Sequence, residues 1–182
     1  MKKYILTGAP GSGKTSILHA LKKKGQTGIE ESATAVINRA QQQGIQRPWY
    51  DENFIDDIIM LQRYRQVRAS NECTNLQFYD RSPICTYALA SYLGFSPSVK
   101  VINEIARIKK QNIYESSVFF IQNLGFVEKT NARTISFEEA LIFEQIHKEV
   151  YNSFGYECID ILPGTIQQRV KLIFEHISKE AD

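Results

Sequence analysis

The chain has 182 residues, of which 43% are hydrophobic and 23% charged, as expected for one globular domain over residues 1–182. Its net charge of only +2 favours neither a nucleic acid nor a membrane surface as partner. The three cysteines form no CxxC pair, and no apolar run is long enough for a signal peptide or a membrane span. These features predict a cytoplasmic protein.

The first motif follows a short apolar strand, Tyr4–Thr7, and precedes a helix predicted over Thr15–Lys24. The loop between them is Gly8-Ala9-Pro10-Gly11-Ser12-Gly13-Lys14-Thr15, which fits the pattern G-x-x-x-x-G-K-S/T. Its glycines let several main-chain N–H groups converge on a phosphate, and the helix directs its positive end to the same point. Lys14 adds a charge for the β- and γ-phosphates, and the Thr15 hydroxyl can bind Mg²⁺. The loop therefore predicts a nucleoside triphosphate with Mg²⁺ as ligands, ATP or GTP.

Strands and helices alternate along the rest of the chain. This alternation predicts a parallel sheet with helices on both faces, an α/β fold. Further strands are predicted to end near Ile29, Asp80, Ile121 and Ile161. Helices are predicted over about 31–43, 83–93 and 97–110, the last with Ser96 as N-cap and Pro97 in its first turn. A further helix is predicted to begin after Asp51. Two more are predicted to begin at the capping boxes Ser136/Glu139 and Thr165/Gln168.

An acid ends the third predicted strand, where Asp80 is followed by Arg81-Ser82-Pro83. In phosphate-loop proteins a neighbouring strand brings an acid to the metal, so Asp80 is a candidate Mg²⁺ residue. The alternative is an aspartate that caps the helix beginning at Pro83. Arg81 is a candidate for a phosphate or substrate contact, and the alternative is a pairing with a nearby carboxylate.

Taken together, these motifs resemble the kinase-like AAA-domain ATPases, which include the nicotinamide riboside kinase domain of bacterial NAD-biosynthesis regulators. The resemblance covers nearly the whole chain. It depends on Gly8–Thr15, Glu31-Ser32-Ala33, Phe78-Tyr79-Asp80-Arg81-Ser82-Pro83, Arg133 with Ser136-Phe137-Glu138-Glu139-Ala140, Tyr151, and Gly155-Tyr156-Glu157. The phosphate loop is specific to the superfamily, whereas the other motifs are specific only in combination.

The resemblance implies the five-stranded order 2-3-1-4-5 of a P-loop NTPase. It also implies that Glu31 lies on the acceptor side of the γ-phosphate as a base, although Glu30 beside it leaves the register open by one residue. The related pattern often has an arginine three residues after the glutamate, where this chain has Thr34. Arg133, with Lys129, falls in a segment that is a lid in kinases, where arginines stabilise charge on the transferred phosphoryl group.

Two functions follow from these residues. The first is a kinase that transfers the γ-phosphoryl group of ATP to a hydroxyl of a small, nucleoside-like acceptor, with Lys14, Glu31, Asp80, Arg81 and Arg133 as catalytic residues. The second is an ATPase or GTPase switch that acts on a protein partner. The acceptor and the oligomeric state do not follow from the sequence. Trp49 and Tyr50 either line an acceptor pocket or belong to the edge of the core, and the three histidines are interpreted as surface or core residues.

Overall fold

The computed structural model describes residues 1–51, 53–72, 74–125 and 136–180. Its centre is a five-stranded sheet in the order β2-β3-β1-β4-β5, in which all neighbouring strands are parallel. The predicted strand order and the predicted α/β class are both confirmed. The strands are β1 (Lys2–Thr7), β2 (Thr27–Ile29), β3 (Leu76–Asp80), β4 (Ser117–Ile121) and β5 (Glu157–Ile161).

The helices lie close to their predicted positions. They are α1 (Lys14–Lys23), α2 (Ser32–Gln42), α3 (Asn53–Ala69), α4 (Pro83–Tyr92), α5 (Val99–Lys110), α6 (Phe137–Ser153) and α7 (Ile166–Lys179), with a short 3-10 helix at Pro48–Tyr50 before α3. Within the described ranges, no helix combines the length and the apolar character that a membrane crossing requires.

Two separate apolar cores lie on the two faces of the sheet, because successive side chains of a strand point to opposite faces. Tyr4 and Leu6 of β1 pack with Leu18 of α1 and Ile173 of α7 on one face. On the other face, Ile5 packs in a cluster to which helices α2 to α6 contribute. Helices α1 and α7 therefore cover one face of the sheet, and helices α2 to α6 cover the other.

The helix caps explain most of the boundaries. Both predicted capping boxes are present at the starts of α6 and α7. The N-cap predicted at Ser96 is wrong by two residues: the Oγ of Ser98 accepts a hydrogen bond from Val101 N, and α5 begins at Val99. Pro97 therefore lies before the helix, because the hydroxyl that satisfies a first-turn N–H group is that of Ser98.

The carboxyl ends of the three central strands meet at one edge of the sheet. Leu6 of β1 lies opposite Asp80 of β3, and Thr7 lies opposite Phe120 of β4. The loops that leave this edge carry most of the polar residues singled out in the sequence, as is usual for ligand sites in parallel α/β sheets.

Candidate active site

The loop between β1 and α1 turns sharply at three glycines. Gly8, Gly11 and Gly13 have φ angles of 128°, 85° and 91°, which residues with a Cβ rarely adopt. A Cβ at Gly8 would also collide with the carbonyl oxygen of Ile121. Both observations show why this loop needs glycine, because its main chain turns sharply and packs directly against the end of β4. The loop then leads into α1, whose first N–H groups have no side-chain cap.

Lys14 is folded back into this loop. Its Nζ donates to the carbonyl oxygens of Ala9 at 2.7 Å and Gly8 at 3.1 Å and to Ser12 Oγ at 3.2 Å. The side chain is buried, and burial together with the charge of Arg81 lowers the pKa of Lys14 to about 8. A positive charge therefore lies inside the loop, but its proton is held less tightly than in a solvated lysine.

Thr15 and Asp80 form the candidate metal site. Thr15 Oγ1 donates to Asp80 Oδ2 at 3.0 Å, while Asp80 Oδ1 is buried without a hydrogen-bond partner. Burial raises the pKa of Asp80 above its ordinary value. The cap of α4 is Ser82, whose Oγ accepts from Ile84 N, so Asp80 is not the helix cap that the sequence left open. An unsatisfied carboxylate oxygen beside a threonine hydroxyl fits a hard cation such as Mg²⁺.

Glu31 lines the cleft and Glu30 does not. Glu31 Oε1 accepts from Arg81 Nε at 2.5 Å, and Glu31 Oε2 accepts from Thr34 Oγ1 at 2.6 Å. Glu30 instead pairs with Lys22 at the exposed surface, 3.3 Å away. Burial alone would raise the pKa of Glu31, but the charges of Arg81 and Lys14 hold it below its ordinary value. The Glu31 carboxylate is therefore ionised and oriented through both oxygens.

Arg81 occupies an unusual backbone position, with a φ of 72° immediately after β3. This conformation turns its side chain into the cleft, where it meets two residues of α6. Its guanidinium lies 5.5 Å from the ring centroid of Phe143, and its Nη1 is 3.5 Å from Nε2 of His147. Arg81 thus pairs with a carboxylate, as one of the two sequence interpretations expected, and also faces the cleft.

His147 is a core residue, as the sequence interpretation allowed, but its contact with Arg81 was not predicted. It is fully buried, and its Nδ1 lies 2.8 Å from the carbonyl oxygen of Phe143. Because a carbonyl only accepts, Nδ1 carries the hydrogen and Nε2 presents a lone pair to Arg81. Burial and the charge of Arg81 keep the pKa of His147 well below its ordinary value, so the ring is neutral. Its spacing from the other histidines gave no signal, because its partner lies 66 residues away.

The cleft beside these residues has a volume of about 660 Å³. Pro10, Gly11 and residues 13–16 line one end, and an apolar wall from several helices lines the other. This wall includes Ile37, Trp49, Tyr50, Phe54, Leu89 and Tyr92. Trp49 and Tyr50 line the pocket, as one sequence interpretation expected, and Trp49 also packs against the core, as the other expected. A flat organic ring would find apolar contact in this part of the cleft.

Arg133 and Lys129 lie outside the described residues. The described chain leaves β4 through Gly125 and resumes at Ser136, whose capping box begins α6. Their contribution to the cleft stays a prediction. Across the described residues, no group of three or more histidine, cysteine or acidic side chains could hold a metal by itself, so a cation at Thr15 and Asp80 would need ligands from a bound nucleotide or water.

The family follows from comparison with known proteins. A sequence profile described as an AAA domain matches residues 3–169. The chain belongs to this AAA-domain family. The match spans the phosphate loop, Asp80, Arg81 and the start of α7, so it includes every site residue described above. No curated protein matches the sequence of this AAA-domain protein.

Solved structures share the fold of this AAA-domain protein at low sequence identity. The deoxyadenosine kinase from M. mycoides, with the products dCMP and dCDP, is 14% identical with a TM-score of 0.62, over 97% of this chain and 99% of the kinase. The NadR protein in complex with NAD and AMP-PNP is 14% identical with a TM-score of 0.67, over 97% of this chain and 49% of that one. Thymidylate kinase from Candida albicans is 13% identical with a TM-score of 0.58, over 99% and 92%. At such identities the likeness establishes the P-loop kinase fold.

Proposed function

We propose that this protein is a small-molecule kinase that transfers the γ-phosphoryl group of ATP to a hydroxyl of a nucleoside-like acceptor. The observation that carries the proposal is the Glu31–Arg81 pair, which faces the same cleft as Lys14 and Thr15. A phosphate loop alone supports nucleotide binding. A fixed acid and arginine in the same cleft of about 660 Å³ add groups that can orient an acceptor hydroxyl and accept its proton.

The loop end of the cleft would hold the triphosphate. Main-chain N–H groups of Gly11 and of residues 13–15, with the Lys14 ammonium, would bind the β- and γ-phosphates, with Lys14 released from Ala9 and Gly8 toward the phosphate oxygens. Thr15 and Asp80 would hold Mg²⁺, which neutralises phosphate charge when it is bound. Binding the cation would satisfy Asp80 Oδ1, which has no hydrogen-bond partner.

The transfer step breaks the bond between the γ-phosphorus and the bridging oxygen of ATP and forms a bond from phosphorus to the acceptor oxygen. ADP leaves with the bridging oxygen, and the hydroxyl proton passes to Glu31. The lowered pKa of Glu31 makes it a weak base, which suits a loose transition state in which the hydroxyl loses its proton late. Glu31 first orients the hydroxyl, and Arg81 and Arg133 would stabilise charge on the transferred group.

The charge balance at the acceptor end favours an uncharged acceptor. Lys14 and Arg81 are the cations among the described residues that line the cleft; Lys14 belongs to the loop, and Arg81 is neutralised by Glu31. At the position where the related pattern often has arginine, Thr34 donates to Glu31 and provides no charge. Among the described residues, a phosphate on the acceptor would therefore lack a free cation there, whereas the apolar wall suits a nucleoside base.

The test is incubation of the protein with Mg-ATP and matched pairs of nucleosides and their 5′-monophosphates, with product detection by mass spectrometry. We expect a phosphorylated nucleoside and at least about tenfold less product from the monophosphates, since the latter would lack an ion-paired hydrogen bond. If no acceptor changes the rate of phosphate release but a protein partner changes it, the protein is a nucleotide-dependent switch and not a kinase. A cytoplasmic location is part of the proposal, because ATP is available there and free thiols such as Cys85 and Cys158 persist there.

A further inference from the structure

Arg169 in the first turn of α7 is a buried cation that no step above uses. Its side chain lies behind the phosphate loop, and the residue is only 2% exposed. Its Nη1 donates to the carbonyl oxygen of Ser12 at 2.6 Å, its Nη2 to that of Gln122 at 2.7 Å, and its Nε to that of Leu162 at 3.0 Å. One guanidinium thus joins three loops, those that follow β1, β4 and β5.

These partners are all main-chain oxygens, and no described carboxylate lies within 4.0 Å of the guanidinium. A buried charge without a counterion opposes folding unless its hydrogen bonds compensate. Burial lowers the pKa of Arg169, yet an arginine stays protonated in proteins. An apolar residue would cover the same surface with less desolvation. The presence of arginine at residue 169 is therefore better explained by the three carbonyl groups that its guanidinium binds than by packing alone.

The contact with the phosphate loop is close. Nη1 binds the carbonyl of Ser12, and a Cβ added to Gly13 would lie 3.4 Å from the same nitrogen. Directing the Ser12 carbonyl toward Arg169 fixes the peptide unit between Ser12 and Gly13, so the Gly13 N–H group points the other way. This N–H is one of the donors that the loop motif brings toward a phosphate.

We infer that Arg169 is a positioning residue that holds the phosphate loop in its nucleotide-binding shape before the nucleotide arrives. A loop that is already ordered loses less conformational entropy on binding, which appears as affinity. Only a planar fork with several fixed donors spans three carbonyls from three directions, so lysine does not substitute for it. The inference rests on the nucleotide-binding half of the proposed function and is independent of the acceptor.

The experiment compares Arg169→Lys and Arg169→Met with the wild-type protein, using calorimetry with Mg-AMP-PNP and hydrogen exchange of the loop amides without nucleotide. Arg107→Lys is the matched control, because Arg107 also makes several hydrogen bonds, to Glu104, Gln66 and Gln111, and does not line the cleft. We expect both Arg169 variants to raise Kd about tenfold or more and to speed exchange of residues 11–13, because each loses a charge-assisted hydrogen bond to the loop. Arg107→Lys should stay within about twofold of wild type in both measurements.

Arg169→Lys keeps the charge and most of the volume, so it decides the question even where Arg169→Met does not fold. Wild-type Kd and wild-type loop exchange in folded Arg169→Lys would overturn the inference while leaving the nucleotide site intact. The same result with weakened binding in Arg169→Met would mean that only the charge matters, which also overturns it. Failure of the wild-type protein to bind Mg-AMP-PNP would instead overturn the nucleotide site and the inference with it.

Discussion

The carboxylate of Glu31 accepts a hydrogen bond from Nε of Arg81 at 2.5 Å, which joins the residues that follow two neighbouring strands. Glu31 comes after β2 and Arg81 after β3, and these strands are parallel, with Ile29 opposite Tyr79. The pair is partly shielded from water, with side-chain exposures of 25% and 9%. Each charge therefore holds the other in its ionised form and in one orientation, in the cleft that Lys14 and Thr15 also line.

The first prediction concerns the acid of this pair. We expect Glu31→Gln to reduce transfer to the acceptor by at least about 100-fold, because the variant still fills the site but cannot accept the hydroxyl proton. The affinity for Mg-ATP should change by less than about threefold, since Glu31 does not belong to the phosphate loop. Transfer rates and calorimetric Kd values, measured on the same preparation, check both parts.

Glu30→Gln is the matched control, because Glu30 is the adjacent acid and its carboxylate pairs with exposed Lys22. Thermal unfolding of both variants is needed as well, since Glu31→Gln leaves Arg81 without its counterion and is expected to lower Tm. If Glu31→Gln transfers phosphate at the wild-type rate, or if Glu30→Gln is the defective variant, the assignment of Glu31 is wrong.

The sequence predicted the parts of this site that depend on local pattern or on strand ends. The phosphate loop has its own signature, and Asp80 is the last residue of a strand whose last four residues are buried. The choice between Glu30 and Glu31 was less accessible. The strand before them has only three residues, all half-buried, so its alternation does not show which face the next side chain takes.

Contacts between residues far apart in the sequence could not be predicted at all. Arg81 meets His147 across 66 residues, and Arg169 meets Ser12 across 157. No sequence motif marks His147 or Arg169. Their roles depend on how α6 and α7 pack against the sheet, which is a property of the whole core.

The second prediction concerns Asp80. We expect Asp80→Asn to abolish most of the gain in nucleotide affinity that Mg²⁺ produces, since the amide is a poorer ligand for a hard cation. Without ligands, the variant should be at least as stable as the wild type, because it removes a buried carboxylate that has one unsatisfied oxygen. Thermal unfolding with and without Mg²⁺ and ATP measures both effects.

Asp160→Asn provides the comparison, since Asp160 is a partly exposed acid of β5 that pairs with Lys148. This control should retain the full Mg²⁺ effect. An undiminished Mg²⁺ effect in Asp80→Asn would remove Asp80 from the metal site.

The third prediction concerns the protonation of Lys14. Burial lowers its pKa to about 8 in the free protein, and bound phosphates favour the charged form, so binding raises that pKa. The affinity is therefore complete below the pKa of the free protein and decreases as the pH rises through it. Phosphate groups lose their last proton near pH ~6, so they do not account for this change.

We expect Kd for Mg-ATP to increase between pH 7 and 9, approaching about tenfold per pH unit at the upper end, with uptake of a proton on binding. Calorimetry in buffers of different ionisation enthalpy measures that proton. Lys14→Ala should bind Mg-ATP weakly at every pH, with the fold intact. Equal pH dependence in Lys14→Ala and wild type would assign the titration to another group, and equal affinity would remove Lys14 from the site.

The fourth prediction concerns Arg133, which lies outside the described residues and is assigned from the sequence pattern alone. In the proposed reaction the transferred phosphoryl group spreads negative charge over three oxygens in the transition state. A cation that contacts the group only in that state lowers the barrier without changing the affinity for ATP.

Arg133→Gln should therefore lower kcat by at least about 100-fold while Kd for Mg-ATP changes by less than about threefold. Lys110→Gln, at an exposed lysine of α5 that does not line the cleft, is the control and should keep more than half of the wild-type kcat. Single-turnover measurements separate the chemical step from product release. A loss of ATP affinity equal to the loss of kcat/KM in Arg133→Gln would show that Arg133 binds the ground state, and the transition-state role would then have to be given to Arg81.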